Sequence, residues 1–470
     1  MIDFEDVKKG AAPGRGPRSR ALLRRLPLLL LLVVLLSNSA CALLSPPQLP
    51  TIPTPIPPPP AAIDFDTLEL VTNPNSSTLS PAIDPDILTL VNNVSRQQLF
   101  GYVQTLEGFG TRHSLSETQR PDFGVGAART WISDEFNRVG GGRLQVTTDD
   151  FTLNYNGLVS SQQNIVATLP GIGTYPGVIV LAAHYDSRNL DIADGFSLAP
   201  GANDNASGVA ALIEAARLLS SRSWNQTIMF IAFASEEQGT HGSFHFVQQA
   251  MLGGQQFDAV FNMDIVGGRP GIPQSLRIFA LGPDTSPSSQ VARYLRYVGG
   301  MYMPTFPVDI QQTLDREGRY SDHREFINAG VGAVRMTESV EDVDVQHTSR
   351  DTSDRLDYDY LAKVTQLNVA TIASLAGAPG RPAAPTITQM ADPGAYLLTW
   401  SPDPQATGYA LSFRPVDSYD YPLFQFVNAA DAGNVAITGL NPAQRYYVSM
   451  GALDANGRLS FFSEETLIGP

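Results

Sequence analysis

A chain of 470 residues, 43% of them hydrophobic and 16% charged, is long enough for two or three globular domains. The first 25 residues carry +4 against a formal charge of −15 for the whole, so the remainder stands near −19. That balance leaves no basic face for a phosphate backbone and excludes nucleic acid as a partner. The single cysteine, Cys41, excludes an intramolecular disulfide.

Arg24-Arg25 and the apolar run 28–36 have the form of an export signal. Three readings of Cys41 stay open. Ser39-Ala40-Cys41 has the ending of a bacterial lipobox, which would make Cys41 a lipidated first residue, although Asn38 stands where an apolar residue is expected. Ala40-Cys41-Ala42 is also a small-x-small site for ordinary cleavage, and the apolar run could remain as an anchor. Each reading puts the folded part outside the cytoplasm, either tethered to a membrane or secreted. Residues 1–44 are therefore read as the signal or anchor. Residues 45–85 are a proline-rich spacer, opening SPPQLPTIPTPIPPPP, followed by a loosely packed arm.

Residues 86–377 read as an α/β domain. Val91, Val94, Leu99, Val103 and Leu106 recur at helical spacing and end near Gly108. A second helix covers 127–136 and breaks at Gly140-Gly141-Gly142. Strands are expected over 144–153 and 164–169. Three apolar, β-branched runs then alternate with helical patterns, which predicts a mostly parallel sheet with crossover helices. Each run ends on polar groups: His184 and Asp186, then Glu236 and Glu237, then Asp264. Asp204 opens the crossover helix over 204–219. In such sheets the ligand crevice lies beyond the carboxyl ends of the strands, so these groups converge on one edge. The second crossover helix is 241–251. Beyond it come a strand over 276–281 and a helix over 291–298. A short helix then opens at Asp322, which with Glu325 has the form of a capping box. A buried strand over 331–336, a loop carrying His347 and a long helix over 358–375 close the domain.

Taken singly, each motif has an ordinary explanation. HYDS could be a hydrogen-bonded pair, GANDNASG a turn and helix cap, and Glu236-Glu237 a solvated helix start. Their order across one α/β pattern is what points to a divalent metal. His113, His241, His245 and His323 read as structural histidines.

The motifs HYDS, GANDNASG, FASEEQG, NMDIVG, SDHREFINAG and HTSRDT together resemble the dizinc aminopeptidase family of secreted bacterial leucyl aminopeptidases and plasma glutamate carboxypeptidase. The likeness spans residues 90–377 and implies a three-layer α/β/α zinc-exopeptidase fold with two Zn2+ per domain. By position it implies Asp204 as bridging ligand, His184 and Asp264 for one zinc, and Glu237 and His347 for the other. Glu236 is similar to the general base, Asp186 to the residue that orients His184, and a cis peptide is implied at Asp204-Asn205. Some relatives carry an oxyanion-binding tyrosine where this chain has Gln346; Tyr320 is the candidate substitute.

Residues 378–382 read as a linker. Residues 383–470 alternate like a β-sandwich and resemble a fibronectin type III domain through Trp400, the run Tyr409, Leu411 and Phe413, and Leu440-Asn441-Pro442 before Tyr446. Such a module suits binding of surface polymers or proteins. The expected function is an exported zinc exopeptidase acting on peptide or protein N-termini. A carboxypeptidase or dipeptidase on the same site, and an inactive peptidase-fold adhesion protein, are the alternatives.

Overall fold

The computed structural model describes residues 69–71, 80–421, 424–432 and 435–470. The signal region, Cys41 and the proline run at 45–60 lie outside the described residues.

An eight-stranded sheet organises the first part of the chain. Its order is Gln145–Tyr155, Leu158–Leu169, Thr227–Phe233, Gly177–His184, Gln256–Met263, Ala333–Glu338, Leu276–Phe279, Val308–Gln311. Gly177–His184 runs parallel to both of its neighbours, and Gln256–Met263 is parallel to Ala333–Glu338, so the centre of the sheet is parallel. The central strand is buried along its whole length. Ile179, Leu181 and Ala183 enter one core cluster, while Val178, Val180 and Ala182 enter another on the opposite face. Two-sided burial is why this run is continuously apolar rather than alternating. Helices Ser207–Leu219 and Tyr358–Gly377 contribute to the first core, and His241–Leu252 and His323–Asn328 to the second. The result is the three-layer α/β/α arrangement expected.

Several elements differ from the sequence reading. The single helix expected up to Gly108 is two, Pro85–Asn92 and Arg96–Gly108. Ser95 restarts the helix as its cap, with Oγ accepting from Gln98 N at 3.3 Å, while its own N–H donates to Glu214 Oε1 at 2.7 Å. Residues 158–163 were not read as strand, yet Leu158–Leu169 pairs with Gln145–Tyr155 across a turn in which Asn156 and Gly157 both have positive φ. Asp322 makes no capping hydrogen bond: it is fully buried, and Glu325 bonds Arg324 and Thr240 instead.

The C-terminal residues form two four-stranded antiparallel sheets. One has the order Phe424–Asn428, Gly408–Pro415, Tyr446–Leu453, Thr466–Ile468. The other is built from Thr386–Gln389, Tyr396–Thr399 and Val435–Thr438, and Glu69–Val71, from the arm read as loosely packed, completes it. Tyr409, Leu411 and Phe413 do point into the core between the sheets. The strand that carries them is nevertheless buried at every position. Ala410 on its other face joins Leu453, Leu459, Phe461 and Phe462 in the large core of the α/β part. Arg414 is fully buried there and bonds Glu465 and Asp284, each at 2.6 Å. Arg293, from helix Pro287–Tyr302, reaches the same Glu465 at 3.3 Å. The stretch read as a linker is also buried through Gly380, where a Cβ would lie 2.2 Å from the Tyr175 ring.

Candidate metal centre

Strand ends deliver the polar groups. His184 closes Gly177–His184, Asp264 follows Gln256–Met263, and Glu236 and Glu237 lie just past Thr227–Phe233. The backbone turns sharply beside them: Ser235, Ile265 and His347 have φ of 57°, 63° and 57°. For a β-branched residue such as Ile265 this left-handed conformation costs ~1–2 kcal/mol. It is held because the Ile265 carbonyl accepts from Glu338 N at 2.8 Å and Thr337 Oγ1 at 3.1 Å. Strain of this kind gathers at functional sites.

Asp204 sits in a π-helical turn, Ala202–Ala206, and the Asp204-Asn205 peptide is cis. The Asp351 carboxylate accepts from the backbone N–H groups of Asn203 (2.8 Å) and Asp204 (2.9 Å). Asn205 donates to the Met263 carbonyl at 2.9 Å and accepts from Gly208 N at 3.0 Å. A Cβ at Gly208 would lie 2.5 Å from Asn205 Oδ1, so only glycine fits there.

Two trios of donor atoms share Asp204: His184, Asp204 and Asp264, and Asp204, Glu237 and His347. His184 Nε2 lies 3.4 Å from both Asp204 Oδ1 and Asp264 Oδ1. His347 Nε2 lies 3.0 Å from Asp204 Oδ2 and 3.3 Å from Glu237 Oε1. Ligands held ~2.0–2.1 Å from a tetrahedral zinc stand ~3.3 Å apart, so both trios have the spacing of a zinc shell. Glu237 Oε1 is buried and, despite its distance to His347, has no hydrogen-bond partner. The donor set therefore fits zinc at each trio.

The surrounding groups fix these donors. His184 Nδ1 faces Asp186, 3.2 Å from its carbonyl and 3.5 Å from Oδ1, which leaves Nε2 to the trio. The Asp186 carboxylate also accepts the N–H groups of Glu236 and Glu237, both at 3.1 Å, tying two strand ends together. Arg335 pairs with Asp264 Oδ2 at 3.1 Å and with Asp315, and Arg188 pairs with Glu237 Oε2 at 2.8 Å. Each terminal carboxylate thus gives one oxygen to its trio and the other to an arginine.

Burial by itself would lower the pKa values of both histidines, but the acids around them win. Glu236, Asp186, Asp204 and Asp264 raise His184 well above its ordinary value, and Glu237 and Asp204 push His347 up to about 10. Burial would raise Asp204 and Asp264, yet His184 and His347 hold the first low, and Arg335 and His184 the second. Without metal, the acids that would hold a cation hold protons on imidazole instead. Glu236 behaves oppositely. Withdrawal from water, opposed by His184 and reinforced by Asp264, Glu237 and Asp322, holds its carboxyl well above the usual range. Asp322 is likewise pushed up to about 7, mainly by burial.

A cleft of ≈ 330 Å³ opens over this centre, and Glu236 and Tyr320 line it. Gln346 does not: it is buried outside the cleft wall, with its amide donating to Glu341 at 3.3 Å. Three of the remaining histidines hold structural contacts. His113 Nε2 lies 3.1 Å from the Ile192 carbonyl, His245 pairs with Asp149 at 3.1 Å, and His323 Nε2 lies 2.8 Å from the Leu314 carbonyl. Arg188, Arg335 and Asp351 escaped the sequence reading. Arg335 had a signal, a charge inside an apolar strand, and Asp351 lies within HTSRDT.

The model of peptidase family M28 matches residues 164–372. A protein of Pyricularia oryzae named "Probable zinc metalloprotease" is 34% identical over 372 residues, covering 68% of this chain and 74% of that protein. One of Leptosphaeria maculans, similarly named, is 34% identical over 345 residues, 65% of this chain and 80% of that one. Among solved structures, the LapA aminopeptidase of Legionella pneumophila shares the fold with a TM-score of 0.51 and 23% identity, over 62% of this chain and 75% of that one. Fold, donor set and relatives agree: the chain belongs to peptidase family M28 and is a zinc metallopeptidase.

Proposed function

We propose that the protein is an exported exopeptidase of the aminopeptidase type, using two zinc ions and Glu236 as general base. The observation that carries this reading is the pair of donor trios sharing Asp204, with a further carboxyl, Glu236, in the wall of the same cleft. Bound zinc would polarise the scissile carbonyl and acidify the attacking water. Glu236 takes the proton from that water and returns it to the leaving amine. Asp186 keeps the Nδ1 side of His184 occupied. Tyr320, in the cleft wall, is the candidate donor to the developing oxyanion, since Gln346 lies outside that wall and is tied to Glu341. The export signal and Cys41 support a membrane-tethered or secreted location. Trp400 stacked edge-on against Tyr409 at 5.2 Å and the buried Tyr446 support a fibronectin type III-like C-terminal part.

The test is an assay of zinc-loaded protein on aminoacyl-arylamides, with Glu236→Ala as control. Loss of ~10²–10⁴-fold in kcat at unchanged zinc content is expected. Turnover that survives Glu236→Ala rejects the mechanism, and no turnover on any peptide favours an inactive scaffold.

A further inference from the structure

The wall of the metal cleft holds four carboxylates, Asp204, Glu236, Glu237 and Asp264, and four arginines, Arg188, Arg316, Arg319 and Arg335. Asp315 and Glu341 lie against that wall as further partners for its arginines. Three of the arginines are committed: Arg188 to Glu237, Arg335 to Asp264 and Asp315, and Arg316 to Asp315 and Glu341. Arg319 is exposed and has no ion pair or side-chain hydrogen bond among the described residues. Its position is not loose. Arg319 N donates to the Arg316 carbonyl at 3.1 Å, and Gly318 takes φ of +71° in the third position, closing a tight turn that needs glycine there. Arg316, the first residue of that turn, pairs with Glu341 and with Asp315, which in turn holds Arg335 of strand Ala333–Glu338, so Arg319 follows from a held turn. Glu317, on the same turn, is exposed and lies outside the wall.

We propose that Arg319 reads a carboxylate that the peptide substrate carries beside the scissile bond. This rests on the exopeptidase reading above and names its substrate class. Among the described residues Arg319 is the wall arginine with no anion beside it, and an anionic group on the substrate supplies one. The carboxylate has two sources, an acidic side chain at the cleaved residue or the free C-terminus of a very short peptide.

Calorimetric titration of zinc-loaded protein separates the sources without needing turnover. The probes are isoglutamine (side-chain carboxylate only), glutamine (α-carboxylate only) and glutamine amide (neither). At least one acid is expected to bind about fivefold tighter than glutamine amide, the size of a solvent-accessible ion pair. In Arg319→Gln that ratio falls to near one, and the acid that loses its advantage identifies the source. Arg319 is exposed, so the substitution leaves no cavity. Equal or undetectable binding of all three probes, or a preference that survives Arg319→Gln, overturns the proposal. Turnover of arylamides on the same sample is scored separately: its absence counts against the exopeptidase reading, while the binding ratio alone decides Arg319.

Discussion

Asp351 gives no donor atom to either trio, yet it accepts the backbone N–H groups of Asn203 and of the shared donor Asp204. Groups that orient metal ligands typically contribute 10–100-fold to metal affinity. Asp351→Ala is therefore expected to weaken zinc binding by about that range in a chelator competition; unchanged affinity would show that Asp351 is only a packing residue. At this scale His184, Glu237 and Asp264 were legible because they follow apolar runs, where a polar side chain is conspicuous, whereas Asp204, at a helix start, and His347, on a loop, were singled out only by the resemblance. Their arginine partners were less so. Arg188 reaches Glu237 from a loop 49 positions away in sequence, and local spacing says nothing about such a pair. Arg335 announced that it needed a partner, without saying which carboxylate would supply it.

Among the elements, the junction between the first two helices shows how little a hydrophobic period reveals about a break. Apolar residues continue in phase through Val94, but Ser95 turns out of the helix and caps the next one. Ser95→Ala is expected to cost ~1 kcal/mol, read from the urea midpoint; no change would mean that the Glu214 contact with its backbone holds the break unaided. The buried parallel strands were the most readable elements, since two apolar faces leave little ambiguity. Asp322 misled for a physical reason. Its spacing to Glu325 matches a capping box, but tertiary burial beside the metal centre claims the side chain before the helix end can use it.

For the whole molecule, the C-terminal sheets were legible as a sandwich but not as part of the larger core, because alternation reports one buried face and is silent about what covers the other. Glu465 sits where the two parts meet, between Arg293 and Arg414, both with side chains at most 2% exposed. Removing it leaves the buried Arg293 with no ion pair and Arg414 with Asp284 alone, so Glu465→Ala is expected to lose about 3–5 kcal/mol in urea unfolding. A loss under about 1 kcal/mol, the range of exposed pairs, would show that this contact is solvated. The pH dependence of the metal-free protein also belongs to the whole. His347, raised to about 10 from 6.5, gives stability that is full below 6.5 and lost as pH rises through 10. Burial lifts the carboxyl of Glu338 to about 8, and that of Asp322 to about 7, so the folded state holds their protons more tightly than the unfolded chain. Their contributions likewise fade as pH rises through those values. In chelator, the urea midpoint is expected to be higher at pH 6 than at pH 9; the reverse order would contradict these shifts.

A strand with no free face has one more implication. Gly408–Pro415 has every position buried: Ala410 belongs to the core cluster of the α/β part, and Arg414 pairs with Asp284, 130 places earlier in the chain. Neither part can melt first without baring the other's interior to water. Heating the metal-free protein is therefore expected to give one calorimetric transition, and a gene fragment ending at the buried Gly380 would yield an insoluble product instead of a smaller enzyme.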